Sequence, residues 1–462
     1  YRPLSEIDAH ISTGQPSSPA QKNDADGRDA APFPKPDALF RRRPLISIAI
    51  LLGFILGTLS VLFWQKASRS SSPQLSPILE LAPIDSGGHP ELAQTARLVT
   101  TVFANDLSHF KIARIRIVGD GDAVSPISEK ENSYRLISRL ETDDQNSSKL
   151  YLSIDDTKTD TLIWSREVQL PAGRQATANA LIPVLGEISG PMGIIAINDT
   201  IMSKERNDGG YPCLLKYFSF MRTREKSIED KVTVCFKKPV KEQRMEATIL
   251  AARAMFAIEH RGARDNFDAA TNEAVSFARA ALAADPNDGS ANFAMARFSY
   301  LKKDCTSARF YTSRTMETNP NSPVFMATLA GLAKMCNYPD AEKLLDRAFL
   351  TQSPYFAKGR LMLILGALGQ DRPEKIVEIA SSDLPLARYN RITYYLAETL
   401  IAASQGRRDE AVRYWHLFSE TIPPGSASAD EKLRPIVALP AMRRRLVAYL
   451  ESTGVIPDDD VH

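Results

Sequence analysis

The feature that most constrains this chain is the run of residues from Pro44 to Trp64, which carries no charged side chain. At a rise of about 1.5 Å per residue, an α-helix of this length crosses a bilayer core of roughly 30 Å. A helix that is apolar on every face is rare in the core of a soluble protein. The run therefore predicts a transmembrane helix over residues 44–64, with the lipid bilayer as its partner.

A buried core helix and a cleaved signal peptide are the alternatives for this run. The 43 residues before it are too many for the charged start of a signal peptide, and the sequence after Trp64 offers no good cleavage site. Arginines at 41–43 precede the run, whereas only Lys66 and Arg69 follow it closely. The positive-inside rule then predicts a cytoplasmic N-terminus, with everything after Trp64 outside the membrane.

Two further features belong to the N-terminal part. Gly53 and Gly57 form a GxxxG spacing, which allows two membrane helices to approach closely. A homodimer through this helix is one interpretation, and a chance spacing is the other.

Residues 1–43 hold several prolines among polar residues and show no apolar period, so they predict a disordered cytoplasmic tail or linker.

All four cysteines follow the apolar run and so lie on the predicted outer side, where oxidising conditions allow disulfides. Their even number and clustering favour the pairs Cys213–Cys235 and Cys305–Cys336, which require the least rearrangement of the chain. Buried free thiols are the alternative, and this alternative has more weight for the second pair than for the first.

Residues 75–206 alternate between strand and helix patterns and predict a small α/β domain. From Pro90 to Phe110 the apolar residues recur on one helical face. Strand patterns run over Ile78–Pro83 and Ile112–Val118, and in the second of these Ile115 and Ile117 alternate with arginines. Three more strand patterns begin at Tyr134, Leu150 and Leu162 and are separated by polar turns.

From Gln175 onward helix patterns dominate, and they contain a repeat. Three prolines are spaced by 34 residues each, and an alanine lies twelve or thirteen residues before each proline. This is the tetratricopeptide (TPR) period, in which a small residue lies where the two helices of a hairpin touch and the proline follows the second helix. The consensus Trp and Gly of the first helix are absent, so residues 266–425 predict TPR-like repeats. The repeat residues are Ala274, Ala308, Ala341, Pro286, Pro320 and Pro354.

Residues 207–265 lie between these regions and predict a Cys-containing helical connector, and residues 426–462 predict a C-terminal helix and tail. The strand Leu162–Glu167, with its Trp-Ser-Arg sequence, is similar to the closing strand of TolB-like domains. The aromatic segment from Gly210 to Cys235 is similar to the element that follows such domains. Over residues 75–425 the ordered features resemble the outer portion of bacterial membrane-tethered signalling proteins that join a TolB-like domain to TPR-like repeats.

This resemblance implies an α+β, membrane-anchored protein with one transmembrane helix, a TolB-like domain and an all-α repeat domain. It implies insertion in a bacterial inner membrane with the C-terminal domains in the periplasm. Members of the family often carry a cytoplasmic output domain, either a winged helix that binds DNA, as in ToxR-like regulators, or a nucleotide cyclase. The chain opens at Tyr1 with neither, so we expect such a domain upstream.

No motif in the sequence predicts a catalytic centre, a metal site or a cofactor, so we expect no enzyme. No two histidines stand four residues apart, and the cysteines have no CxxC spacing. The paired acids Asp143-Asp144 and Asp155-Asp156 lie in predicted turns, and the arginines at 443–445 lie on a predicted solvated helix face. A net charge of +2 gives no reason to expect direct contact with nucleic acid.

Three functions remain open at this point. The first is a periplasmic sensory portion that binds a protein, peptide or envelope component through the TPR-like groove and passes the signal through the membrane helix. The second is an envelope scaffold whose tail is only an anchor. The third, nucleotide cyclisation, requires a domain that this chain does not contain.

Overall fold

The computed structural model describes residues 75–119, 132–142, 148–191, 193–202, 209–240, 242–262, 267–350, 357–379, 391–422, 426, 428–437 and 439–457. The predicted tail at 1–43, the predicted membrane helix at 44–64 with Gly53 and Gly57, and Pro354 lie outside these residues. All of the described residues belong to the unit Ser72–His462.

A five-stranded mixed sheet forms the first part of this unit. Its strands are β1 (Ile78–Leu81), β2 (Arg114–Ile117), β3 (Ser133–Thr142), β4 (Ser148–Asp156) and β5 (Thr161–Leu170), in the order β2-β1-β3-β4-β5. β1 pairs in parallel with β2 and β3, whereas β3, β4 and β5 pair antiparallel. Parallel neighbours need a crossover, and helix α1 (Ala93–His109), which follows a 3₁₀ turn at Pro90–Leu92, joins β1 to β2.

Two further helices, α2 (Arg174–Ser189) and α3 (Ile194–Met202), follow the sheet and contact β5. Within the described residues, the stretch Arg174–Met202 is the one that is long and apolar enough to cross a bilayer, but 65% of its most apolar window is buried inside the fold. Leu181, Leu185 and Ile188 belong to the same hydrophobic core as the sheet residues. A core helix meets the same criterion of length and composition, so this stretch is weak evidence for a membrane anchor.

A buried carboxylate joins the sheet to the helices. Asp199 of α3 accepts hydrogen bonds from the Tyr134 hydroxyl at 2.5 Å, from the Tyr211 hydroxyl at 2.8 Å and from Asn132 Nδ2 at 2.9 Å. Asp199 is fully buried, and a buried carboxylate is stable only when its oxygens are paired in this way. The network fixes the position of α3 against β3.

The remaining helices are α4 (Tyr211–Thr223), α5 (Lys226–Phe236), α6 (Glu246–Ala257), α7 (Phe267–Ala284), α8 (Gly289–Leu301), α9 (Cys305–Thr318), α10 (Pro323–Ala333), α11 (Ala341–Leu350), α12 (Ala357–Gly369), α13 (Arg391–Ser404), α14 (Arg408–Glu420), α15 (Ala429–Leu433) and α16 (Pro440–Ser452). Short 3₁₀ turns lie at Gln243–Met245, Lys334–Cys336 and Pro373–Glu378, and a π-helical turn lies at Ile258–Gly262. The described part of the chain is therefore mostly helical, with one small mixed sheet.

Eight of these helices pack as four hairpins of consecutive helices. α6 pairs with α7, α8 with α9, α10 with α11, and α13 with α14. α6, α8 and α10, the first helices of three of the hairpins, contact one another in series, and α10 also contacts α12. Stacked helix pairs of this kind are compatible with the repeats that the proline period predicts.

Five of the six repeat residues lie among the described residues. Ala274 and Ala308 are fully buried in the second helices of their hairpins, and Ala341 is 6% exposed at the start of α11. Pro286 and Pro320 each follow the last residue of α7 or α9 by two positions. The first hairpin begins earlier than the predicted repeat region, because α6 lies within the segment 207–265 that the sequence assigned to the connector.

Glycines bring α10 and α12 into backbone contact. A Cβ atom added to Gly369 would lie 2.5 Å from both the Cα and the carbonyl oxygen of Gly331, and one added to Gly366 would lie 2.8 Å from the carbonyl oxygen of Ala327. No side chain fits at such distances, so these glycines set the separation of the two inner helices.

On the edge strand β2, Ile117 is 59% exposed, while the adjacent Arg116 covers the fully buried Glu80. Two interpretations from the sequence are wrong in detail. Asp156 is not in a solvated turn: it ends β4, is buried, and accepts from the backbone nitrogen of Lys158 at 2.9 Å. Arg443 is not on a solvated face, because it is buried and its Nε donates to Asp430 at 2.9 Å.

The buried alanines give a test of the hairpin contacts. We expect Ala308→Leu to lower the free energy of unfolding by about 1–3 kcal/mol, because a larger side chain overpacks the contact between α8 and α9. Ala280→Leu is the matched control, since Ala280 is exposed on α7 and the change there is nearly neutral. Denaturant unfolding of Ser72–His462 measures both, and equal stabilities would contradict the hairpin assignment.

The glycine contact gives a second test. Gly369→Ala should cost about 1–3 kcal/mol of unfolding free energy, because its Cβ meets the backbone of Gly331. Gly186→Ala is the control: Gly186 lies in α2 with no heavy atom within 4 Å of an added Cβ, so alanine there is neutral or stabilises by up to about 1 kcal/mol. A Gly369→Ala variant as stable as the wild type in thermal unfolding would contradict the backbone contact.

Candidate ligand-binding cavity

A cavity of about 250 Å³ lies along the inner helices of the array. Residues of α6, α8, α10 and α12 form its long wall, and α4 lines it as well. Other lining residues come from the α/β part, among them Phe110, Ile112 and Gly190, and from the C-terminal region, among them Ile436 and Met442. The cavity therefore contacts the α/β part, the repeats and the C-terminal region together. Concave apolar sites of this kind are where proteins usually hold small ligands.

The walls of the cavity are mainly apolar and adaptable. Phe293 of α8 and Phe325 of α10 stack with ring centroids 4.1 Å apart. Methionines contribute from four different elements, and their flexible thioether side chains can adjust to ligands of different shape. These methionines are Met221, Met255, Met362 and Met442.

One group of charged residues interrupts this apolar wall. Arg224 Nη1 donates to Glu259 Oε2 at 2.9 Å, and Arg297 Nη1 lies 3.9 Å from Glu259 Oε1. The side chains are 12% exposed for Arg224, 9% for Glu259 and 17% for Arg297, so all three charges are largely removed from water. We call these three residues, together with Tyr217, the polar cluster.

Irregular backbone places two of these residues. Arg224 caps the end of α4 in the left-handed conformation, with a φ of 57°, and its guanidinium lies over the Phe220 ring at 5.0 Å. Glu259 lies in the π-helical turn Ile258–Gly262 that ends α6. Both features are energetically unfavourable for ordinary residues and occur often at functional sites.

Burial changes the ionisation of the polar cluster. Burial raises the pKa of the Tyr217 hydroxyl well above its usual value, and the charge of Glu259 adds to this effect. Burial also lowers the pKa of the Arg297 guanidinium, although Glu259 opposes the change. Tyr217 is therefore a neutral hydrogen-bond donor, and Arg297 carries a charge that its surroundings compensate only in part.

The predicted cysteine pairs are both present as disulfides. Cys213–Cys235 joins α4 to α5 across a separation of 22 residues, with Cα atoms 5.5 Å apart. Cys305–Cys336 joins the start of α9 to the 3₁₀ turn after α10, with Cα atoms 5.2 Å apart. The first disulfide restrains α4, which supplies Leu214, Tyr217, Phe218 and Met221 to the cavity. Disulfides of this kind fit a protein of an oxidising compartment.

The cavity brings together residues that sequence reasoning did not select. Ala274, Ala308, Ala341, Pro286 and Pro320, which the structure describes, do not line the cavity. One feature of the sequence could have pointed to Arg297: it is the single charged residue of α8, whose other residues are mostly apolar or small. Within the described residues, no group of three or more His, Cys, Asp or Glu side chains could hold a metal ion.

Comparison with known proteins adds no relative. No family model matches the sequence, and no curated protein matches it at a significant level.

We expect the two disulfides to differ in their effect on the cavity. Replacing both Cys213 and Cys235 by alanine should lower the free energy of unfolding by about 3 kcal/mol in the chain-entropy model and also weaken ligand binding, because α4 loses its restraint. Replacing Cys305 and Cys336 should lower stability by a similar amount but weaken binding less, because α10 keeps its contacts with α8, α11 and α12. Unfolding curves and dye titrations measure the two effects, and an equal loss of binding in both variants would contradict the role assigned to Cys213–Cys235.

Proposed function

We propose that the unit Ser72–His462 is the ligand-binding, sensory part of a membrane-anchored envelope protein. The single observation that carries the proposal is the apolar cavity, because its lining residues come from the α/β part, from four inner helices of the array and from the C-terminal region. The anchor would be the uncharged segment 44–64, and the arginines at 41–43 favour a cytoplasmic N-terminus.

The packing of the unit supports a sensory role. Met255 of α6 lines the cavity and also packs against all three hydrophobic cores, which contain the sheet, the first hairpin and the later repeats. A ligand that displaces Met255 therefore changes a contact of every core. Such a ligand stabilises whichever arrangement of the cores binds it best, which is the energetic requirement for a ligand-driven switch.

The two disulfides support the location. Reduced cytoplasm disfavours stable structural disulfides, so their presence in the structure is consistent with a periplasmic position for this unit. In the proposed function, occupancy of the cavity would be passed through the membrane helix to a cytoplasmic output domain, with transcription as the favoured output from the family resemblance. An envelope scaffold that binds partners along the array without a small ligand is the alternative.

A neutral apolar dye tests the proposal directly. We expect the fluorescence of N-phenyl-1-naphthylamine to rise on titration with the folded unit Ser72–His462, because the dye enters the cavity. Thr328→Phe, which adds a ring at the cavity wall, should raise the Kd by about tenfold or more. Ala280→Phe adds the same ring at an exposed helical site and should leave the Kd unchanged.

Thermal unfolding of each variant shows that the comparison is made between folded proteins. A wild-type unit that gives no fluorescence rise, or a Thr328→Phe variant that binds as well as Ala280→Phe, would contradict the proposal and favour the scaffold.

A further inference from the structure

The polar cluster contains donors that the protein leaves unused. Among the described residues, the Tyr217 hydroxyl has no hydrogen-bond partner, although Tyr217 is only 6% exposed and lines the cavity. The Arg297 guanidinium makes one contact, from Nη1 to the Met255 thioether sulfur at 3.5 Å, and its 3.9 Å approach to Glu259 is too long for a hydrogen bond. Both groups line the cavity and their donor atoms are not fully buried, so they can donate to an acceptor that enters the cavity.

The charges of the cluster define the kind of acceptor. Arg224 and Arg297 contribute two positive charges and Glu259 contributes one negative charge, which leaves a net charge of +1 in these three groups. A monoanion neutralises this charge, whereas a dianion leaves an uncompensated negative charge in an apolar site. A carboxylate also matches the planar fork of a guanidinium.

The rest of the cavity defines the body of the ligand. Beyond the polar cluster, the wall is formed by the stacked rings of Phe293 and Phe325 and by the methionines Met255 and Met362. These surfaces offer dispersion contacts and adjust in shape, but they provide no hydrogen bonds to a polar chain. A flexible hydrocarbon chain fits such a wall, whereas the peptide groups of an extended peptide would remain unpaired.

We propose that the cavity binds a small aliphatic monocarboxylate, with its carboxylate held by Arg297 and Tyr217 and its hydrocarbon chain against the phenylalanine and methionine wall. This inference rests on the proposed function, since it names the ligand class of the same cavity. Arg297 donates to the carboxylate through the guanidinium nitrogens that the protein leaves free. Tyr217 donates its hydroxyl proton, and Arg224 holds the carboxylate of Glu259 through their 2.9 Å hydrogen bond.

The experiment compares three probes that share the same hydrocarbon chain and differ in the head group. Isothermal titration calorimetry of Ser72–His462 at neutral pH would use decanoate, decan-1-ol and decylamine. All three cores and both disulfides lie within this unit, and a cooperative thermal transition verifies that it is folded. We expect decanoate to bind at least about tenfold more tightly than decan-1-ol, and decylamine to bind more weakly than either.

Two variants test whether Arg297 and Tyr217 cause the preference for decanoate over decan-1-ol. Arg297→Met removes the charge and keeps a side chain of similar length. It should weaken the binding of decanoate at least about tenfold, while the affinity for decan-1-ol changes by less than about threefold. Tyr217→Phe keeps the ring and should weaken decanoate about three- to tenfold. Arg279→Met, at an exposed arginine of α7, removes the same charge from the unit and should change neither.

The outcomes separate the two proposals. Equal binding of decanoate and decan-1-ol, or equal effects of Arg297→Met and Arg279→Met, would overturn the carboxylate site and leave the dye-binding cavity intact. Binding of none of the apolar probes would overturn both. If Arg297→Met fails to unfold cooperatively, the ratio of decanoate to decan-1-ol affinity in the wild type and in Tyr217→Phe decides the question.

Discussion

Helix α6 is the element on which the rest of the unit depends, because its faces contribute to all three cores. Ile249 and Phe256 pack in the core of the sheet, while Ala251 and Ala254 pack in the core of the first hairpin. Met255 reaches the core of the later repeats as well. A helix shared in this way couples the α/β part to the repeats, so neither part can move without repacking it.

The sequence predicted the local elements well where one period dominated. The strand alternation located β3, β4 and β5, and the proline spacing located the helix pairs, because both patterns report burial on one face. The errors, at Asp156 and Arg443, arose where the tertiary surroundings decide burial. The burial of Glu80 has the same origin, because Arg116 and Arg135 of neighbouring strands cover it, and no period of β1 alone contains that information.

The candidate site could not be predicted from the sequence for a related reason. Tyr217, Arg224, Glu259 and Arg297 come from three helical elements and form no motif, so only the packing of α4, α6 and α8 brings them together. The disulfides were predictable because cysteine pairing has few solutions, whereas the number of possible Arg–Glu pairings in a chain with 57 basic and 55 acidic residues is very large. The local sequence feature that could have indicated the site is a charged residue inside an apolar helix, as at Arg297.

The polar cluster also lowers the free energy of unfolding, and this loss of stability bears on the function of the cluster. Removing two guanidinium groups from water requires compensation, and one carboxylate supplies only part of it. Apolar residues at these positions would continue the wall of the cavity and stabilise the unit, so packing alone gives no reason for Arg297 or for an unpaired Tyr217 hydroxyl. An anionic ligand compensates the remaining positive charge of the two guanidinium groups when it binds. The free energy of binding then stabilises the arrangement of α4, α6 and α8 that forms the site. The same buried charge that weakens the empty unit would in this way make its packing depend on the ligand.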